Sequence, residues 1–169
     1  RPRNTRFKPN RQLGDVNRNS TSQWIFPHSV RGGVQACKDL IDQIYAADPA
    51  LLVSGGWLPV PGQEQSVRTL FRTLRELPQI PFEPIGPPDP HSNLRARRGR
   101  TQDKAYLQLI NNAPWPETVA LRVNSRLASP TIRVLGDRDV DGVFVDPQTG
   151  IWTVQVPAFD LLGLEINDP

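Results

Sequence analysis

The spacing of apolar residues changes character midway along this chain. In the first half they recur every three or four positions. Val34, Cys37, Leu40, Ile41, Ile44 and Tyr45 form one stripe, with Lys38, Asp39, Asp42 and Gln43 off it, which predicts an amphipathic helix over 33–47. Asp48-Pro49 ends that helix, because the residue before a proline is pushed out of the α region. Val67, Leu70, Phe71, Leu74 and Leu77 predict a second helix over 63–77, stopped by Pro78. Each helix follows a short apolar run, Gln23–Pro27 before the first and Ala50–Ser54 before the second. The second run is continuously apolar, as suits a strand covered on both faces. The order βαβα implies parallel strands joined by helical crossovers.

In the second half, alternation replaces the helical period. Tyr106, Gln108 and Ile110 oppose Ala105, Leu107 and Leu109, while Val119, Leu121 and Val123 oppose Ala120, Arg122 and Asn124. Thr131–Leu135, Val143–Val145, Ile151–Val156 and Phe159–Ile166 complete a set of short strands separated by turns such as Asn111–Pro116 and Asp146–Gly150. Such a series indicates an antiparallel sandwich. Between the halves, Pro78, Pro81, Pro84, Pro87, Pro88 and Pro90 make a stiff connection. The expected organisation is a basic arm or loop over 1–22, a βαβα portion over 23–77, a proline-rich then arginine-rich linker over 78–103, and an antiparallel β-sandwich over 104–169.

Composition narrows the class. With 18 prolines and 12 glycines in 169 residues and 37% hydrophobic content, collagen, a coiled coil and an all-helical bundle are excluded. No apolar run approaches the ~20 residues that span a bilayer. The single cysteine, Cys37, rules out an internal disulfide framework and a multi-cysteine zinc site, and its place on the apolar stripe predicts a buried, inert thiol. The net charge of +3 is segregated: Arg1, Arg3, Arg6, Lys8 and Arg11 form a basic arm and Arg95, Arg97, Arg98 and Arg100 a basic loop, leaving an acidic remainder. Nucleic acid is therefore a candidate partner through the 1–12 arm and those four arginines, and a solvated extension and loop is the alternative. The start at Arg1-Pro2-Arg3, with no apolar h-region, fits either an exported protein whose signal peptide has been removed or a fragment of a longer product. Localisation stays open between them.

Two βα units make a quarter of a barrel or half of an open sheet. A strand as apolar as Ala50–Val53 is not left with bare edges, so the sheet is expected to be completed by a further protein segment or subunit.

The stretch Leu51–Glu64, with Gly55-Gly56-Trp57 and Pro61-Gly62-Gln63-Glu64, and the later Leu77-Pro78-Gln79-Ile80-Pro81-Phe82-Glu83, resemble the C-terminal part of the family 10 glycosyl-hydrolase-like proteins of bacteria. Tyr106–Val123, around Asn111-Asn112-Ala113-Pro114-Trp115-Pro116, is similar to the opening of the β-domain that follows the barrel there, and Val156–Leu162 resembles its ending. Leu58-Pro59-Val60-Pro61 departs from the family pattern in being richer in proline, and most of the barrel lies outside this sequence. The resemblance implies an α/β then all-β fold class: the last βα units of a TIM-like barrel, incomplete in this chain, plus a small antiparallel β-sandwich.

In such barrels, loops after the C-terminal strand ends carry the chemistry. That places His28 and Trp57 at the rim, with Gln63 and Glu64 on the same loop as Trp57. Trp57, freed by two glycines, offers a flat ring to a sugar face, or else plugs the barrel top. Gln63 and Glu64 are candidate hydroxyl partners, although a glutamate opening a helix also complements its dipole. His28 is a rim acid or base, or a plain loop residue. Glycoside hydrolysis normally uses two carboxyl groups about 5–9.5 Å apart, and only Glu64 and Asp15 fall on candidate rim loops. Catalysis by this chain alone is therefore not expected; whether it serves a glycoside hydrolase as part of a longer chain stays open. Asp137, Asp139 and Asp141, followed by Gly142, look like half of a calcium loop, but Gln148 stands where the bidentate glutamate belongs. A turn is the simpler reading, and no metal or cofactor is expected.

The function expected is that of a glycosyl-hydrolase-like C-terminal portion with a glycan as partner, carbohydrate-related or structural. A non-enzymatic assembly component (capsid, shell or ribonucleoprotein) and a carbohydrate-binding module seated on the sandwich are the alternatives.

Overall fold

The computed structural model describes residues 24–25, 35–48, 51–52, 64–86, 91–122, 131–140, 144–145 and 151–167. The elements run β1 (Trp24–Ile25), α1 (Gln35–Ala46), β2 (Leu51–Leu52), α2 (Glu64–Glu76), β3 (Glu83–Pro84), β4 (Leu94–Arg100), β5 (Lys104–Asn111), β6 (Glu117–Arg122), β7 (Ile132–Val134), β8 (Phe144–Val145), β9 (Ile151–Val156) and β10 (Asp160–Asn167). β1 and β2 pair in parallel. The other strands form two antiparallel sheets, β3-β4-β5-β10-β7 and β6-β9-β8.

The centre is the pair β5–β10, joined along its whole length from Asp160↔Asn111 to Asn167↔Lys104. Because side chains alternate across a strand, each of these strands supplies two faces. Ala105, Leu107, Leu109, Leu162, Leu164 and Ile166 turn toward Val119, Val154 and Val156 of the smaller sheet and form one core. Tyr106, Ile110 and Leu161 turn the other way, into a second core with Leu40, Ile41 and Ile44 of α1 and Leu70 of α2. The layers are thus helices, five-stranded sheet and three-stranded sheet. Each fully buried leucine or isoleucine on the middle pair contributes about 1.5–3 kcal/mol.

The helices form where their stripes predict, and the stripes face the sheet. Leu77, Phe82 and Ile80, in the phrase after α2, belong to the same core. They pin the end of that helix over β4, where a Cβ on Gly99 would come 2.8 Å from Ile80 Cδ1 and 3.0 Å from Phe82 Cε1. The antiparallel sandwich predicted over the last third is present. β4 is not predicted: it lies in the segment read as an arginine-rich linker. Its apolar face is only Leu94 and Ala96, packed on the sandwich core, while Arg95, Arg97 and Gly99 share the helical face with Ile110, Gln108 and Tyr106.

α2 lies tight on β10 at Thr73. This buried threonine directs its hydroxyl at Leu135 O, 3.4 Å away. A Cβ on Gly163 would meet Thr73 Cγ2 at 2.9 Å, and one on Gly136 would clash with Thr73 Oγ1 and approach its backbone N at 3.1 Å. Gly136 also has φ +96, a backbone state that side chains disfavour. Beside this contact, Glu165 of β10 sits 10% exposed between Lys104 on one neighbouring strand and Arg133 on the other, with N–O distances of 3.0 and 3.2 Å. Arg133 also reaches Glu76 at 3.0 Å, so one guanidinium ties the end of α2 to the sheet. The Arg133 hydrogen bond, aided by Lys104, holds the Glu165 carboxyl below the usual carboxylate value.

Two outcomes follow from this packing. Gly136→Ala is expected to cost about 2–3 kcal/mol in urea unfolding. Adding Thr73→Ala should make the double variant less unstable than the sum of the singles, because the clashing hydroxyl is gone. Glu165, with its depressed folded-state pKa, gives stability that is complete above the ordinary carboxylate value of 4.5 and is lost as pH falls through the lower folded value. The stability gap between the native chain and Glu165→Gln should therefore close on acidification below that value, as read by unfolding titrations at stepped pH.

Candidate functional site

The parallel register Trp24↔Leu51 and Ile25↔Leu52 places the C-terminal ends of β1 and β2 side by side. In chain order α1 follows β1 and α2 follows β2. His28, Trp57 and Gln63 lie outside the described residues. Glu64 is described: it is the first residue of α2, exposed, with its carboxylate at the positive end of the helix dipole. Of the predicted ligand-binding residues, the structure therefore places Glu64 alone, at the opening of α2.

Two other acids of the helical part are engaged. Asp42 pairs with Lys38 one turn away at 2.6 Å, and Glu76 with Arg133. Of the calcium-like triplet, Asp141 lies outside the described residues. Asp137 takes φ +49 and meets Arg72 Nη1 at 3.2 Å. Among the described residues no group of three or more His, Cys, Asp or Glu is placed to hold a metal ion. Cys37 is buried, and burial, followed by the nearby Asp160 charge, pushes its thiol pKa up to about 11, so it is protonated and a poor nucleophile at neutral pH.

The arginine cluster divides by strand face. Arg97, 4% exposed, donates through Nη1 to Ile44 O at 2.8 Å and through Nη2 to Tyr45 O at 3.1 Å. Arg95 Nη1 donates to the same Tyr45 carbonyl at 2.5 Å, and its guanidinium lies 4.3 Å from the Tyr45 ring centroid. The Tyr45 hydroxyl closes the circuit onto Ser92 O. The last carbonyls of a helix lack partners within it, and α1 has no basic residue of its own in its last turn. β4 supplies the missing donors and positive charge. Arg95 and Arg97 therefore point into the protein, whereas Arg98 and Arg100 are exposed. Residues 1–12 lie outside the described residues.

One feature absent from the sequence expectations is Trp115, 54% exposed in the turn after β5. The sequence marks that turn by its helix- and strand-breaking residues, and the signal for display is the pair of prolines flanking the indole.

No protein-family model matches this sequence, and no curated protein matches it. Solved structures do. A family 30 glycoside hydrolase endoxylanase from Clostridium papyrosolvens superposes with TM-score 0.52 at 11% identity, over 86% of this chain and 42% of that one. A family 30, subfamily 8 xylanase from Clostridium acetobutylicum gives TM-score 0.45 at 15% identity, over 86% of this chain and 42% of that one. An Anoxybacillus α-amylase gives TM-score 0.45 at 12% identity, over 86% and 38%. This chain spans less than half the length of each. The first likeness establishes a glycosyl-hydrolase-like fold, and it does not single out family 10.

The capping geometry makes its own prediction. Arg97→Ala should destabilise the protein by about 2–4 kcal/mol, since it takes the charged donor from the Ile44 carbonyl and leaves the Tyr45 carbonyl to Arg95 alone. Arg98→Ala, at an exposed side chain of the same strand, should stay within about 0.5 kcal/mol. Thermal melts of the two variants side by side will show the difference.

Proposed function

We propose that this chain is the C-terminal portion of a glycosyl-hydrolase-like protein, carbohydrate-related, and not catalytic by itself. In this reading β1 and β2 are the closing strands of an α/β barrel, and 26–34 and 53–63 are two of its rim loops. His28, Trp57, Gln63 and Glu64 would be the ligand-facing residues of those loops, with Trp57 stacking on a sugar. The observation that carries it is the parallel pair with each strand followed by a helix, and both helices laid on an antiparallel β-domain. The endoxylanase of similar fold acts on a polysaccharide, as its name states, which supports a glycan as ligand class. The Gly55-Gly56-Trp57 and Leu77–Glu83 phrases support the family 10 resemblance within that class. Completion of the β1–β2 sheet by protein outside this sequence is part of the same proposal.

Intact mass of the species carrying this sequence in its native source is the deciding measurement. The expected result is a polypeptide well above 18.9 kDa, large enough to hold the rest of a barrel. A stable, monodisperse monomer of 18.9 kDa in that source would sink the reading.

A further inference from the structure

We propose that Trp115, with Glu117 at its edge, is a carbohydrate-binding platform on the β-domain, taking a neutral polysaccharide whose pyranose hydroxyls are equatorial. The proposal rests on the carbohydrate reading above but uses a different part of the chain from loops 26–34 and 53–63.

An exposed tryptophan alone means little. Here the surroundings hold the ring out. Pro114 and Pro116, both exposed, fix the backbone on either side. Beneath them, Asn111 is fully buried and commits its whole amide to this corner: Nδ2 donates to Trp115 O at 2.8 Å, Val156 O at 3.1 Å and Pro157 O at 2.9 Å, and Oδ1 accepts from Ala113 N at 2.8 Å. Phe159 N donates to Ala113 O at 3.0 Å, so the turn is also fastened to the start of β10. The indole N–H donates to Glu117 Oε1 at 2.8 Å, which stops the ring from swinging.

The result is a rigid aromatic face presented to solvent with a carboxylate beside it. Ordering costs on binding are low when the receptor is already fixed. A pyranose with equatorial hydroxyls has axial C–H groups on both faces, and such a face stacks on an indole. Its hydroxyls reach the carboxylate as donors. A uronic acid would instead bring a second negative charge toward Glu117, which is unfavourable.

Affinity electrophoresis of the 169-residue chain through gels holding soluble β-glucan, unsubstituted xylan or polygalacturonate tests this. The neutral polymers should retard the native chain and polygalacturonate should not. Trp115→Ala should weaken retardation at least about tenfold, and Trp115→Phe should keep part of it. The melting temperature of Trp115→Ala should stay near the native value, since the ring is half in solvent. Equal retardation of Trp115→Ala and the native chain overturns the proposal. Loss with Trp57→Ala alone overturns it too, while leaving the rim reading in place. No retardation of the native chain by either neutral polymer overturns the platform and leaves the rim reading to the intact mass, and equal retardation by polygalacturonate overturns the neutral class. Ultracentrifugation adds a further check: a dimer that Trp115→Ala dissociates, with retardation unchanged, makes the face a self-contact and ends the proposal.

Discussion

Everything in this structure is arranged around one demand: the β5–β10 pair carries buried apolar side chains on both faces, so both faces must be covered. The three-stranded sheet satisfies one side. The other is met by α1 and α2, which belong to a different part of the sequence and are separated from the sandwich by a run of prolines. The prolines mark a change in backbone style, yet Ile41, Leu70, Ile110 and Leu161 share one hydrophobic cluster across that change. Removing the helices would expose that face of the central pair along much of its length.

Where the sequence could be read, it was read through periodicity. The stripe from Cys37 to Tyr45 and the alternation from Ala105 to Ile110 each satisfy a single burial requirement, and both match the structure to within a residue or two at their ends. β4 could not be read that way. In Leu94–Arg100 the inward positions on the helical side are arginines, and their reason for being there is a set of carbonyls on α1, far away in sequence. A strand whose buried face is chosen to serve a helix end has no two-residue hydrophobic signal to find. The same gap hid the fate of Arg95 and Arg97, which looked like members of one basic patch with Arg98 and Arg100 until strand alternation separated them.

The candidate site was legible to a different degree. The order strand, helix, strand, helix implies parallel pairing, and β1 and β2 do pair in parallel. Glu64 falls where a helix-opening glutamate is expected. His28, Trp57 and Gln63 lie outside the described residues, so their expected roles stand on the sequence and the topology of the flanking elements. In the sequence, Trp115 shows as part of a turn and of the phrase that carries the family resemblance. What distinguishes it is three-dimensional: a buried asparagine and a neighbouring carboxylate hold the ring outward, and neither relation shows in hydropathy.

The borrowed cap on α1 has a temporal side. The guanidiniums that close the helix come about fifty positions later in the chain. At ribosomal speeds of about 5–20 residues per second, the newly made helix waits several seconds for them. A segment of twelve residues is marginal on its own in water. During translation α1 therefore stays uncapped until a basic strand emerges, followed by β5 and β10, which give it a reason to stay folded.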